Sequence, residues 1–169
     1  MALRFALDHN FPQPLVAKLG PYFPEADLVP IEQIDPGFAT LDDWDVLLAL
    51  HLLGGPAGLV TCDASMLDLP RAVAVLVQTK QALVVTEGVG HDPFRATGLL
   101  LTHLSSVCKR LKPGSGQVWR LSASEKRPDD PWKELTRLAG REKLSPPELY
   151  ERERLSAVEL LTNPLTRPR

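Results

Sequence analysis

Three aspartates stand where a chain can gather negative charge. Asp8 closes the apolar run Leu3 to Leu7, Asp63 closes Leu59-Val60-Thr61-Cys62, and Asp43 belongs to the acidic group Asp42, Asp43 and Asp45 that opens a helical pattern. Carboxylates crowded together repel, so such a constellation calls for a cation or for raised pKa values. All-oxygen donors suit a hard divalent ion, Mg²⁺ or Mn²⁺. An ion of that kind activates water and offsets charge on a phosphoryl group in transit. Taken singly, each aspartate reads more plainly as a cap or turn residue; it is the joint placement that points to a site. His9 has the chemistry to orient a phosphate or act as an acid. Its plainer reading is an exposed loop residue, as Asn10's is a self-bonding turn residue.

The elements that must position these residues follow from hydrophobic periodicity and turn chemistry. Leu3–Leu7 reads as a strand. Pro12 and Pro14 open a helix that stops at Gly20-Pro21. Ala26 to Ile31 is a second strand, weakened by Pro30, and Asp35-Pro36-Gly37 is a turn. Thr40-Leu41-Asp42-Asp43 has the form of a capping box before a helix carrying Val46, Leu47, Leu50 and Leu53, which Gly54-Gly55-Pro56 ends. Gly58 bounds the strand leading to Asp63. A helix from Pro70, a strand Gln81–Thr86, a loop Gly88–Pro93 containing His91-Asp92, a long helix Phe94–Leu111 and a last strand Gln117–Leu121 complete the alternation. Alternating strands and helices predict a three-layer α/β/α fold on a mostly parallel sheet with right-handed crossovers. Carboxylates at strand ends then lie on the carboxyl edge of that sheet, where open α/β folds bind ligands.

Residues 1–121 form this expected domain, and residues 122–169 a charged helical extension. Glu125–Pro131 reads as a linker, followed by helices near Trp132–Ala139 and Pro146–Leu161. Charge divides along the same line. Residues 1–100 carry 5 Lys/Arg against 12 Asp/Glu, and residues 101–169 carry 14 against 9. The basic side chains Lys109, Arg110 and Lys112 are expected to meet phosphates, and Leu135, Leu138, Leu149, Leu155 and Leu160 to dock on the domain or on a second chain. Trp119 and Trp132 read as core or docking residues rather than base-stacking platforms. Two cysteines, Cys62 and Cys108, make no disulfide framework. No apolar run approaches the roughly 20 residues needed to span a bilayer, and no apolar leader opens the chain, so the expected location is cytoplasmic and away from membranes.

Three motifs carry a family resemblance. Asp8-His9-Asn10-Phe11-Pro12 resembles the D-E-N-L-P opening of PIN-like domains, the class of the VapC toxins. Asp43-x-x-Val46, on a helix ending at Gly54, is similar to their D-x-x-I helix, and Val60-Thr61-Cys62-Asp63 to their V-T-x-D strand end. The resemblance covers about residues 1–121. It implies a Mg²⁺- or Mn²⁺-dependent endoribonuclease with Asp8, Asp43 and Asp63 as metal-binding, catalytic acids, and, as one form of it, the toxin of a toxin–antitoxin pair. The partners implied are RNA, an antitoxin protein and a second copy in a homodimer. The chain departs from the pattern at His9, where the family has Glu, and at Ser65 and Met66, where it has a further acid and an aromatic. Asp42 or Asp45 can stand in for Asp43, and Asp68, Glu87 and Asp92 are candidates for a fourth acid. The alternative is a catalytically inactive PIN-like interaction module.

Other phosphate chemistries fit less well. Phosphoacceptor receiver domains need an acidic pair after the first strand and a lysine at a later strand end, whereas Lys80 precedes its strand. Haloacid-dehalogenase-like phosphatases need D-x-D, and Asp8-His9-Asn10 lacks it. Gly54-Gly55 follows a helix, on the wrong side for a phosphate-cradling loop.

Overall fold

The computed structural model describes residues 2–90, 92–124 and 128–167. The turn expected at His91 and part of the linker expected at Glu125–Pro131 (residues 125–127) lie outside the described residues. Five strands, β1 (Leu3–Leu7), β2 (Ala26–Pro30), β3 (Gly58–Thr61), β4 (Ala82–Thr86) and β5 (Gln117–Leu121), form one sheet in the order β2-β1-β3-β4-β5. Every neighbouring pair is parallel. The helices are α1 (Gln13–Leu19), α2 (Ile31–Ile34), α3 (Asp43–Leu53), α4 (Pro70–Thr79), α5 (Pro93–Arg110), α6 (Pro131–Glu142), α7 (Pro146–Glu153) and α8 (Ala157–Leu161).

The strands are near-continuous apolar runs because both faces are covered. Successive residues point to opposite faces, so Leu59, Leu83, Val85 and Val118 meet one core and Val60, Val84 and Trp119 the other. The first core is closed by α2, α3, α4, α6 and α7, the second by α1 and α5. This is a three-layer α/β/α architecture. Five consecutive residues of α3, Val46 to Leu50, are buried, which places that helix between the sheet and its neighbours. Where β3 meets β4, a Cβ on Gly58 would lie 2.1 Å from the Ala82 carbonyl oxygen, so only glycine allows that approach.

The extension shares the first core. Leu135, Leu138, Leu149 and Leu155 are buried against α3 and α4, with Leu160 packed at the margin. Burial on this scale stabilises by about 1.5–3 kcal/mol per leucine. Trp132 keeps a third of its surface and sets its ring 5.3 Å from that of Tyr150 at a tilt of 58°, while Trp119 is wholly buried.

Local details differ from the sequence reading in four places. Ile31, expected at the end of the second strand, instead starts α2. Thr40 does not cap α3: a 3₁₀ run, Pro36–Thr40, holds the Thr40 hydroxyl on the Gly37 carbonyl, and Asp42 is the cap residue without a side-chain bond. The strand into Asp63 ends at Thr61, so Cys62 and Asp63 project beyond the sheet. The last expected helix is two. Arg154 turns extended, and Ser156 restarts the chain with a capping box to Glu159. Among the described residues, no helix is long and apolar enough to cross a membrane.

Candidate functional site

In the order β2-β1-β3-β4-β5 the direction of winding reverses between β1 and β3, and α/β sheets bind ligands in the crevice outside the carboxyl ends at that point. Leu7 lies opposite Val60, so Asp8, just past β1, stands beside Thr61, the last residue of β3. Asp8 is only 7% exposed. Its Oδ2 accepts from the Thr61 hydroxyl at 2.7 Å, and its Oδ1 accepts from the His9 backbone N–H at 2.8 Å, with His9 Nδ1 2.9 Å away. The same Thr61 hydroxyl accepts from the Asp63 backbone N–H at 2.9 Å. One buried threonine thus ties together the two aspartates at the sheet edge. Asp63 Oδ1 in turn accepts from the backbone N–H and the hydroxyl of Ser65, at 2.8 and 2.5 Å. Ser65, where the resemblance implies an acid, serves here as the clamp on Asp63.

Asp43 is the first residue of α3, whose N-terminus points to the same edge. Burial raises its carboxyl above the ordinary carboxylate range, and the charges of Asp63, Asp8 and Asp42 raise it further, against a smaller opposing effect of His9. Asp45 faces elsewhere. Burial raises it too, but Arg167 and Arg71 act on it in the opposite sense, and Arg167 Nη1 stands 3.5 Å from Asp45 Oδ1. That is an ion pair without a hydrogen bond, since Asp45 Oδ1 is buried with no hydrogen-bond partner. Asp42 is exposed. Of the three acids at this helix start, Asp43 is therefore the one directed at Asp8 and Asp63.

The candidates for a fourth acid separate clearly. Asp68 is taken by Arg137 and Arg141, at 3.0 and 2.9 Å. Glu87 is paired with Arg120. Asp92 caps α5, its Oδ1 accepting from the N–H groups of Phe94 and Arg95 at 3.0 and 3.1 Å, and it lines a cavity of about 440 Å³ together with Asn10, Pro12, Cys62, Asp63, Gly90, Pro93 and Ala96. Cys62 lines this cavity while packing against the second core, and burial pushes its thiol up. Burial also pushes the Cys108 thiol up, to about 11.

The donor chemistry, three carboxylates from three elements, suits a hard cation. Among the described residues, however, no three such side chains converge closely enough to hold one ion as they stand. Asp8 already has both oxygens engaged and Asp63 has one.

The basic side chains lie at the opposite end. α5 runs back from the carboxyl edge over 18 residues, about 27 Å at helical rise. Lys109, Arg110 and Lys112 therefore line a separate cavity with Gln117 at the amino edge. Lys80, at the end of α4 in a left-handed conformation, is at that amino edge as well, the wrong side for a receiver-type lysine.

Two features escape the sequence reading. Thr61 is visible only as a hydroxyl in an otherwise apolar strand. Arg120, one charge inside the last strand, donates to Glu134 at 3.0 and 2.9 Å and also pairs with Glu87. Arg137 joins Glu134, Asp68 and the Leu67 carbonyl. Burial alone would raise Glu134, but hydrogen bonds from Arg120 and Arg137 hold its carboxyl below the usual range. This network fastens α6 to the 3₁₀ turn Ala64–Asp68 that directly follows Asp63. The signal was the i, i+3 spacing of Glu134 and Arg137 facing a lone strand arginine.

No family model, no curated protein and no solved structure matches the chain.

Proposed function

We propose that the chain is a PIN-like, Mg²⁺- or Mn²⁺-dependent endoribonuclease that hydrolyses phosphodiester bonds at the carboxyl edge of its sheet. The observation that carries this reading is that Asp8, Asp43 and Asp63, from three separate elements, lie at the switch point near enough for the first and third to raise the second. Asp8, Asp43 and Asp63 would hold the ion, after side-chain rotation at Asp43 and Asp63. A bound divalent ion supplies a Lewis acid and a water of lowered pKa. The chain's own part is to hold Asp8 through Thr61 and His9, to hold Asp63 through Ser65, and to keep bulk water from Asp8, which is nearly buried. RNA is the proposed substrate. An antitoxin partner and a homodimer follow from the same resemblance.

A second reading, a PIN-like interaction module without catalysis, is favoured by one observation: the three carboxylates are held by protein donors or stand apart rather than converging on a common point. Titration with Mn²⁺ and an RNA cleavage assay decide between the two. For the nuclease, Mn²⁺ raises the melting temperature by mass action, with about 2.7 kcal/mol of stabilisation at 100 times Kd. Asp8→Asn and Asp63→Asn then abolish both that rise and cleavage while the fold persists. Cleavage at the wild-type rate by both variants would remove the nuclease reading. Absence of both the Mn²⁺ shift and cleavage in the wild-type chain would leave the interaction module.

A further inference from the structure

The cavity beside Asp63 has a composition that the three acids do not explain. Pro12 and Pro93 present apolar rings, and Ala96, Gly90 and Cys62 complete the apolar lining. Among the described residues its polar groups are Asn10 and two carboxylates, and none of them is a cation. Both carboxylates spend Oδ1 on local bonds, Asp63 on Ser65 and Asp92 on the first turn of α5. Their Oδ2 atoms receive no hydrogen bond among the described residues. A cavity of this kind repels phosphate and accepts a flat, largely apolar group that carries N–H donors. At about 440 Å³ it falls in the size range of small-ligand sites.

The next two residues in the chain supply what a nucleotide needs outside such a cavity. Phe94, next in the chain to the cavity-lining Pro93, is 73% exposed and open to contact. Arg95 is exposed, and its guanidinium has no ion-pair partner among the described residues. Aromatic faces stack on bases at about 1–3 kcal/mol each, and guanidinium groups take backbone phosphates.

We infer that this cavity is a nucleobase subsite for single-stranded RNA. Asp92 and Asn10 read a base bearing an amino group, Phe94 stacks on the neighbouring base, and Arg95 holds the intervening phosphate. The inference rests on the nuclease reading for its choice of RNA. It places the reading of sequence on the α5 side of the sheet edge, away from Lys109, Arg110 and Lys112.

The test is binding of fluorescein-labelled hexanucleotides, oligo(G)-containing against oligo(U), to the full chain in EDTA, so that no step depends on metal. Asp92→Asn keeps a good helix cap and removes the carboxylate. It should abolish a preference for amino-bearing bases over uracil. Phe94→Ala should weaken all sequences about tenfold or more. Arg95→Gln should weaken all sequences alike and reduce the salt slope by about one. All three side chains sit at the surface, so the fold should survive, and melting temperature checks this. Unchanged preference in Asp92→Asn together with unchanged affinity in Phe94→Ala would overturn the subsite, as would absence of RNA binding in EDTA. Cleavage with Mn²⁺, measured in parallel, keeps the two ideas apart. Base-selective binding without cleavage sinks the nuclease alone, and cleavage blind to all three variants sinks the subsite alone.

Discussion

The Thr61 hydroxyl donates to Asp8 Oδ2 at 2.7 Å across 53 residues of sequence, while accepting the Asp63 backbone N–H. Thr61 is fully buried, so both bonds lie where water cannot replace them. Thr61→Val keeps the shape and leaves a carboxylate oxygen and an N–H without a partner. The expected loss is about 1–3 kcal/mol, read as a lower urea midpoint with unchanged slope. Thr61→Ser should restore most of it. A valine variant as stable as wild type would mean that Asp8 finds another donor.

Asp43 should reveal itself through pH. Its carboxyl is raised in the folded state by burial and then by Asp63, Asp8 and Asp42. The folded chain therefore keeps this proton longer than the unfolded chain does. Its contribution is fully present below the unfolded value, about 3.9, and is lost as pH rises through the folded value. In EDTA, Asp43→Asn should melt higher than wild type at neutral pH, with the gap closing toward about pH 3. The same variant should lose cleavage, with Asp42→Asn and Asp45→Asn affected less. A gap of constant size across that range would show that charge is not its origin.

How much of this was legible beforehand depends on the range of the signal. The strands and, α2 apart, the α-helices of the first 121 residues follow local periodicity, and the structure keeps them within a residue or two. Asp8 and Asp63 stood at strand ends and could be placed on one edge by topology alone. The choice among Asp42, Asp43 and Asp45 could not be made, because it depends on where α3 begins. Thr40, the expected cap, is consumed by a 3₁₀ run whose driving contacts are tertiary, with Phe38 buried in the core. The distance of Lys109, Arg110 and Lys112 from the acids was not legible for a different reason. Charge was counted along the chain, whereas α5 carries those residues to the far end of the molecule.

The Arg120–Glu134 pair should behave as a fastening rather than as surface decoration. Glu134 is 5% exposed and accepts from both Arg120 and Arg137. Glu134→Ala strands a half-buried guanidinium, and breaking buried pairs of this kind costs about 3–5 kcal/mol. Glu87 still answers Arg120, so the lower figure is expected, measured by chemical denaturation. Arg137→Ala should lower cleavage at saturating RNA, because it loosens the turn after Asp63. A change in stability below about 0.5 kcal/mol for Glu134→Ala would place the network among ordinary surface pairs.

The extension should prove inseparable from the domain. Leu149 is completely buried, and Leu149→Ala should cost about 2–5 kcal/mol. Truncation after Ser122 uncovers the outer face of α4 altogether, and the product should aggregate or melt without cooperativity. A truncated chain with a sharp transition at the wild-type temperature would show that residues 123–169 only lean on a finished fold.

That arrangement of α6 to α8 over α4 has a consequence for biosynthesis. α4 is complete in the chain once 79 residues are made, but the leucines that cover it arrive between residues 135 and 160. At about 5–20 residues per second, the nascent domain waits several seconds with the outer face of α4 open. Through that interval it is a natural client for chaperones.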